Sequence, residues 1–201
     1  MEEFKALKGM VIVENKEEAL RAAKEWEDQS GTIWTDGSRL EDGAVGAALA
    51  FKDGGRWVKR GTYLGKNKEV FDAEVFAIMR AVRLLDERKK RGQDYVVFSD
   101  SQAAVARVQH DKTGPAQALA KAVIATVDGL VDRGNTLTIR WTPAHKGVEG
   151  NEQADEAAKA AAEGRRERAE PAYLLEASLS HSPGRLQRQG RRPPRSGYAA
   201  T

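Results

Sequence analysis

The chain has 201 residues, 40% hydrophobic and 31% charged, which indicates a soluble globular protein with one domain of ordinary size plus extensions. Cysteine is absent, and this excludes disulfides and thiolate metal sites. No apolar run approaches the roughly 18 residues of a membrane span, and the N-terminal residues lack the apolar region of a secretory signal. We therefore expect an intracellular protein without a membrane partner, and the sequence does not distinguish nucleus from cytoplasm.

The net charge of +3 is concentrated in the C-terminal tail. From Arg165 onward there are 8 Arg against 3 Glu, a balance of +5, which leaves 25 basic against 27 acidic residues, or −2, for the rest of the chain. A slightly acidic body argues against a simple basic clamp for nucleic acid. It does not exclude nucleic acid, because metal ions on clustered carboxylates would invert the local field.

The first 30 residues predict an N-terminal extension. Residues 16–28 carry an apolar stripe at helical spacing, which predicts a short amphipathic helix. The stripe consists of Ala19, Leu20, Ala23 and Trp26. No residue of this segment is a candidate for catalysis or ligand binding, and we interpret the segment as a structural brace for the domain that follows.

Three predicted strands with tight turns follow and favour an antiparallel meander. The first begins at Thr32 and ends in the sequence TDGS at 35–38, the second covers 43–51 and the third covers 56–64. Asp36 then has two interpretations. It is either a turn residue bonded to its own backbone or a functional carboxylate at a strand end.

Residues 71–88 form the strongest helical pattern in the chain. The apolar stripe consists of Phe71, Val75, Ile78, Val82 and Leu85. Glu74 lies beside this stripe, where an unpaired carboxylate is costly to bury. The alternative is a boundary residue bonded to Arg80 or Lys68.

A second carboxylate follows a short predicted strand at 95–98. Asp100 lies after that strand and before a predicted helix at 103–108, which is where α/β sheets bind ligands. It would equally serve as a helix N-cap. A longer helix at 116–131 is apolar on more than one side and is predicted to pack on the sheet.

The stretch WTPAHKGVEGNEQAD at 141–155 places a loop histidine close to a helix carboxylate. Alternating apolar residues predict a strand from 136 to 141, and Pro143 ends it. His145 then lies in a loop with nearby glycines, and Asn151 begins a predicted helix on which Asn151 and Asp155 share a face. Taken alone, a strand, loop and helix with a histidine and an aspartate are typical of a structural role and not of an active site.

The segment 164–201 is Arg-rich and lacks periodicity, and we predict that it is disordered. Its apolar cluster is at 173–175. Such a tail either adds sequence-independent affinity for phosphates or is a solvated end.

The four acidic motifs, in this order, resemble a type 1 ribonuclease H domain. The matching stretches are TDGS at 35–38, AE at 73–74, SDSQ at 99–102 and TPAHKGVEGNEQAD at 142–155. The resemblance implies an α/β, ribonuclease H-like fold over residues 31–163. It has a five-stranded mixed sheet, three antiparallel then two parallel strands, with helices on both faces. The implied activity is endonucleolytic hydrolysis of the RNA strand of RNA:DNA hybrids.

The resemblance also implies a catalytic set: Asp36, Glu74, Asp100, Asp155 and His145. The four carboxylates would hold two Mg²⁺ ions, with Mn²⁺ as a substitute, and His145 would be a mobile proton-transfer or product-release group. Physical chemistry agrees, since crowded carboxylates need a cation to remain ionised and oxygen ligands favour Mg²⁺ or Mn²⁺ over zinc. Ser38, Gln102 and Asn151 occupy positions that would contact the nucleic acid.

Two departures from the family pattern stand out. The run before the Ala-Glu pair is EVFD, where hybrid-cleaving members often have Asn or Thr, and only QHDKTGP separates two helices where some members carry a basic, Trp-bearing protrusion. The arrangement is similar to ribonuclease H domains of fungal non-LTR retrotransposon reverse transcriptases, including the helix at 16–27. This implies a reverse transcriptase domain of the same polyprotein as a partner.

Two other functions compete with the ribonuclease. One is a catalytically silent nucleic-acid-binding or structural module on the same fold, and the presence of all four acids counts against it. The other is a related nuclease such as a junction resolvase, and the His145 loop with Asn151 and Asp155 points away from it.

Overall fold

The computed structural model describes residues 4–165 of the chain. The disorder predicted for the tail therefore concerns a segment that, from residue 166 onward, lies outside the described residues. Within 4–165, no helix is both long and apolar enough to cross a membrane.

The described residues form six strands and five helices. In order they are β1 (Met10–Ile12), α1 (Lys16–Trp26), β2 (Thr32–Arg39), β3 (Ala44–Asp53), β4 (Arg56–Lys66), α2 (Val70–Glu87), β5 (Asp94–Ser99), α3 (Gln102–Arg107), α4 (Gln117–Asp132), β6 (Thr136–Trp141) and α5 (Glu149–Ala162).

The strands form a single mixed sheet in the order β1-β6-β5-β2-β3-β4. The antiparallel meander β2-β3-β4 and the parallel strands β5 and β6 are as predicted. The prediction of five strands is wrong, because β1 adds a sixth, paired in parallel with β6 from Met10 opposite Thr138. With three residues, β1 is too short to show a period, and it owes its strand conformation to the open edge of β6.

Strand β2 continues through the TDGS motif, which is therefore not a turn. Asp36 lies opposite Ala48 of β3 and is held in the sheet ladder. Gly37 permits this because α2 passes very close: a Cβ there would lie 2.7 Å from the backbone nitrogen of Glu74. The contact between β2 and α2 thus carries Glu74 to the end of the sheet where Asp36 lies.

Helices cover both faces of the sheet, as predicted. The apolar side of α2 forms the large core with alternate residues of β3, whereas Ala48 of β3 packs on Ala157 and Ala158 of α5 on the opposite face. The approach of α5 is close, since a Cβ on Gly46 would lie 2.3 Å from the backbone nitrogen of Ala162. The sheet is therefore clamped between α2 and α5, each of which carries one predicted site carboxylate.

Helix α5 begins two residues earlier than the sequence predicts, at Glu149. Gly150 is inside the helix, not part of a loosened loop, and a Cβ at this position would lie 2.2 Å from the indole nitrogen of Trp34. The same indole stacks on Phe98, with ring centroids 4.2 Å apart. This packing sets the position of α5 relative to β2 and β5.

Candidate metal centre

Three of the predicted carboxylates meet at one edge of the sheet. Thr35 pairs with Ser99 in the parallel ladder of β2 and β5, so Asp36 and Asp100 are the next residues along two neighbouring strands. Glu74 reaches the same place from α2. One oxygen from each of Asp36, Glu74 and Asp100 lies within 4.8 Å of the others. The structure therefore assembles a compact carboxylate cluster from three separate elements.

Burial and mutual repulsion make these carboxyl groups hard to ionise. Burial, followed by repulsion from Asp100 and Asp155, raises the pKa of Asp36 to about 8. Burial, followed by repulsion from Asp36 and Asp100, raises the pKa of Glu74 to about 10. The pKa of Asp100 is also raised, chiefly by burial. The backbone N–H of Gly37 opposes the rise at both Asp36 and Glu74 by hydrogen bonding.

The donor set of the cluster fits a hard divalent cation. All three residues offer oxygen, and the buried Glu74 Oε2 atom has no hydrogen-bond partner. A cation would supply that partner and would offset the repulsion that raises the three pKa values. The residues Asp36, Glu74 and Asp100 are therefore able to hold such an ion.

The fourth predicted carboxylate, Asp155, lies beside this group of three and not within it. It is half-buried on α5, and its Oδ2 atom accepts a hydrogen bond of 2.7 Å from Lys159 one turn later. Its charge nevertheless raises the pKa of both Asp36 and Asp100. Asp155 is thus near the cluster electrostatically, while the i,i+4 ion pair directs it along its own helix.

Asp100 is not a helix N-cap. Ser101 caps α3, since its hydroxyl accepts a hydrogen bond from the backbone N–H of Ala104. The Asp100 carboxylate is instead bonded to Asn151, whose Nδ2 atom donates to Oδ2 at 3.4 Å. The backbone carbonyl of Asp100 accepts a hydrogen bond of 3.0 Å from the Trp141 indole. Asp100 is therefore held by residues of both β6 and α5.

Asn151 is more enclosed than its predicted contact with nucleic acid suggests. It is only 2% exposed, and its Oδ1 atom is buried without a hydrogen-bond partner. The sequence indicates its helix but not its bond to Asp100. The four-residue spacing from Asp155 was the available signal, since it places both side chains on the face that turns toward the sheet.

His145 is exposed, in the loop between β6 and α5, with a φ of 52°. It lies close enough to Asp100 for its charge to lower the pKa of that carboxyl group. The adjacent Lys146 lies beside Lys16 at the start of α1, and the repulsion between the two ammonium groups lowers the pKa of Lys16. The loop thus brings an imidazole near Asp100, while its Lys146 lies beside Lys16 of α1.

The two remaining predicted contacts lie beside the cluster. Ser38 is half-buried, two residues after Asp36 on β2, and Gln102 is exposed as the first residue of α3. Sequence reasoning missed Lys159, Trp141 and Lys16. Only Lys159 had a recognisable signal, its i,i+4 spacing from Asp155.

Comparison with known proteins gives a family match over most of the described chain. The family model for RNase H matches residues 28–163. Among solved structures, the crystal structure of RNase H1 from the halophilic archaeon Halobacterium salinarum NRC-1 is similar, with 18% sequence identity and a TM-score of 0.48. That match covers 66% of this chain and 97% of the archaeal chain. No curated protein matches.

Proposed function

We propose, since this chain belongs to the RNase H family, that it is an endoribonuclease that hydrolyses the RNA strand of RNA:DNA hybrids. One observation carries the proposal: Asp36, Glu74 and Asp100, which are separate in sequence, meet within 4.8 Å at one edge of the sheet. Acidic residues with only local structural roles, at strand ends or in helices, would not have to lie this close to one another.

The family generally uses divalent metals, and we propose Mg²⁺ for this chain, with Mn²⁺ as a substitute. Asp36, Glu74, Asp100 and Asp155 would hold two ions. When bound, such ions activate a water molecule and stabilise the leaving 3′-oxygen of a phosphodiester. Support comes from the oxygen-only donors and from the unpartnered Glu74 Oε2 atom.

The protein's own groups keep the carboxylates in place for this reaction. The Gly37 N–H restrains Asp36 and Glu74, and the Asn151 amide restrains Asp100. Preorganised donors of this kind avoid the cost of reorienting groups during the reaction.

We cast His145 as a proton-transfer group at the leaving 3′-oxygen, or as a group that assists product release. Its support is its exposure on a loop and its electrostatic contact with Asp100. An imidazole has an ordinary pKa near neutrality and suits either task. Because it is not one of the clustered carboxylates, its removal should slow the reaction and not abolish it.

Recognition of RNA by this site would depend on the 2′-hydroxyl group. A-form geometry displays that group in a shallow minor groove. Ser38 and Gln102 flank the carboxylates and are accessible, so they are the proposed contacts; Asn151 would act mainly through Asp100.

Cleavage of a labelled RNA:DNA duplex in Mg²⁺ tests this function, with Asp100→Asn as the comparison. We expect cleavage by the wild type and none by the variant, whereas equal rates of cleavage would contradict the proposal. Parallel assays on duplex DNA and junction DNA should show no cleavage. Binding to hybrid without cleavage, together with no Mg²⁺ or Mn²⁺ binding by calorimetry, would instead favour the silent binding module.

We also propose roles for the segments that precede and follow the domain. We propose that residues 1–30 are an extension that braces a ribonuclease H domain at 31–163, followed by the tail at 164–201. Bonds from the extension support the brace, since Glu27 Oε1 accepts from the Gly150 N–H at 3.3 Å and Glu14 is paired with Arg140. The helix α1 also agrees with an origin in a retrotransposon polyprotein beside a reverse transcriptase domain. A transcript with an uninterrupted upstream polymerase frame would test that origin.

A further inference from the structure

Helix α5 begins without a cap of its own, although it carries Asn151 and Asp155. Its N-cap residue is Val148, whose apolar side chain cannot accept a hydrogen bond from the first turn. The second residue of the helix, Gly150, is buried. A buried backbone N–H group without a partner is costly, so the partner of the Gly150 N–H has to come from another segment.

Glu27 supplies that partner from the N-terminal extension. It follows α1 directly, and its Oε1 atom accepts a hydrogen bond of 3.3 Å from the Gly150 N–H. A carboxylate at this place also suits the partial positive charge at the start of a helix. Glu27 thus caps α5 from a position 123 residues away in the chain, in place of a polar side chain at residue 148.

The packing of α1 keeps Glu27 at the start of α5. Ala23, in the last turn of α1, is fully buried in an apolar cluster that also contains Trp34, Val148 and Ala154. The indole of Trp34 in turn lies against Gly150, where there is no room for a side chain. The end of α1 and the beginning of α5 therefore share one apolar cluster, and Glu27 lies at its border.

A cation on β3 balances part of the negative charge at this corner. Glu149, the first residue of α5, accepts a hydrogen bond of 2.7 Å from the Trp57 indole and lies 3.7 Å from the Lys52 Nζ atom. A hydrogen bond to Asp28 raises the pKa of Lys52, and the charges of Glu149 and Glu27 raise it further. The carboxylate of Glu27 therefore meets α5 close to an ammonium group.

The capped turn is connected to the carboxylate cluster through the next residue. Asn151 follows Gly150, and its side-chain amide donates to the Asp100 carboxylate at 3.4 Å. Because Asn151 is only 2% exposed, its side chain follows the backbone of the first turn closely. Loss of the bond from Gly150 to Glu27 would loosen that turn and, with it, the amide that holds Asp100.

We propose that Glu27 is a positioning residue for the carboxylate cluster: it caps α5 through Gly150 and thereby holds Asn151 against Asp100. The proposal rests on the proposed function, in which Asp100 is a metal ligand. The residues that match the family begin at 28, so a chain shortened to that match would lack the cap.

Amide hydrogen exchange in the metal-free full chain tests the cap by itself. Glu27→Ala should speed exchange of the Gly150 amide by about tenfold, because the cap no longer protects it. Glu27→Gln keeps an accepting oxygen and should stay within about threefold of the wild type. The matched control is Glu25→Ala, an exposed residue of the same helix, which should leave this exchange unchanged. Unchanged exchange in Glu27→Ala, or equal exchange in the Ala and Gln variants, would overturn the proposal.

Calorimetric titration with Mn²⁺ tests the connection from the cap to Asp100. Glu27→Ala should weaken Mn²⁺ binding by about three- to tenfold, less than the loss usual for a direct partner of a metal ligand, and Glu25→Ala should not weaken it. A wild type that binds Mn²⁺ no better than Glu27→Ala would contradict the positioning alone. A wild type that binds no Mn²⁺ would contradict the proposed metal site, and the positioning with it.

A cap restored within α5 separates positioning from a general loss of stability. Val148→Thr keeps the shape of the side chain and adds a hydroxyl group at the N-cap. Combined with Glu27→Ala, it should return both the Gly150 exchange and the Mn²⁺ affinity to within about threefold of the wild type. Recovery of the exchange without the affinity would show that Glu27 does not act on Asp100 through this turn, and recovery of neither would show that Glu27 does not act as a cap.

Discussion

Replacing Asp36 with Asn is expected to stabilise the metal-free protein. The substitution keeps the size of the side chain and an oxygen that accepts from Gly37, but it removes a charge that burial and two neighbouring carboxylates oppose. The pKa of Asp36 rises from 3.8 to about 8, so at neutral pH the folded protein holds a proton that the unfolded chain has released. Neutral pH is about three units above 3.8, and each unit corresponds to about 1.4 kcal/mol. We therefore expect a gain of about 2–4 kcal/mol, the lower value applying if the coupled carboxylates share the relief.

The sign of the pH dependence follows from the same shift. Because the pKa of this acid is higher in the folded protein than in the unfolded chain, the wild type loses stability as pH rises from about 4 through about 8. The Asp36→Asn variant should show a weaker decline. Mg²⁺ or Mn²⁺ should raise the stability of the wild type more than that of the variant, since the ion relieves the repulsion only where the charge is present.

Urea denaturation in EDTA between about pH 5 and about pH 9 measures this effect through the free energy of unfolding. Asp132→Asn is the matched control. The Asp132 side chain is 69% exposed and pairs with Lys8 at the surface, so its replacement should change stability by less than about 0.5 kcal/mol. An Asp36→Asn variant that is less stable than the wild type at neutral pH, or that shows the same pH slope, would refute the reasoning.

Three further outcomes are expected. His145→Ala should cleave hybrid about 10²–10⁴ times more slowly than the wild type, which is the usual effect of losing a general acid or base. Asp100→Asn should show no cleavage. An equal loss of activity in both variants would show that the histidine is not auxiliary. Asn151→Ala removes a hydrogen bond that lowers the pKa of Asp100, so the pH profile of cleavage should move to higher pH, and an unmoved profile would contradict that role. Gly37→Ala places a Cβ 2.7 Å from the Glu74 backbone nitrogen and should cost about 1–3 kcal/mol in a denaturation experiment, so unchanged stability would contradict the tight contact.

The parts of the fold that follow local periodicity were predictable from sequence. The apolar stripe of α2 and the alternation in β6 each reflect one element packing on a sheet, and both elements lie within one or two residues of their predicted bounds. Asp36, Glu74 and Asp100 lie close together because strand ends and a helix face bring them to one edge of the sheet; their role in catalysis stays a prediction.

The features that escaped prediction depend on contacts between distant segments. Strand β1 forms because β6 offers an open edge, and β2 continues through its glycine because α2 lies against it. In the same way, α5 includes Gly150 because the helix packs directly on Trp34, where there is no room for a side chain. Local patterns typical of a turn or a loop gave way in each case to tertiary packing.

The position of Asp155 shows the same limit within the site. Its spacing from Asn151 predicted the shared helix face, but the ion pair with Lys159 leaves it outside the group formed by Asp36, Glu74 and Asp100. Whether the Asp155 carboxylate pairs with Lys159 or turns toward the other carboxylates depends on the geometry of a single helical turn. Motif order alone does not reveal it.

The metal dependence of RNA-strand cleavage tests the central claim most directly. With a hybrid labelled on the RNA strand, we expect cleavage only when Mg²⁺ or Mn²⁺ is present, with products that end in a 3′-hydroxyl and a 5′-phosphate. A folded Glu74→Gln protein should not cleave. Cleavage that persists in EDTA, or that Glu74→Gln supports at the wild-type rate, would contradict it.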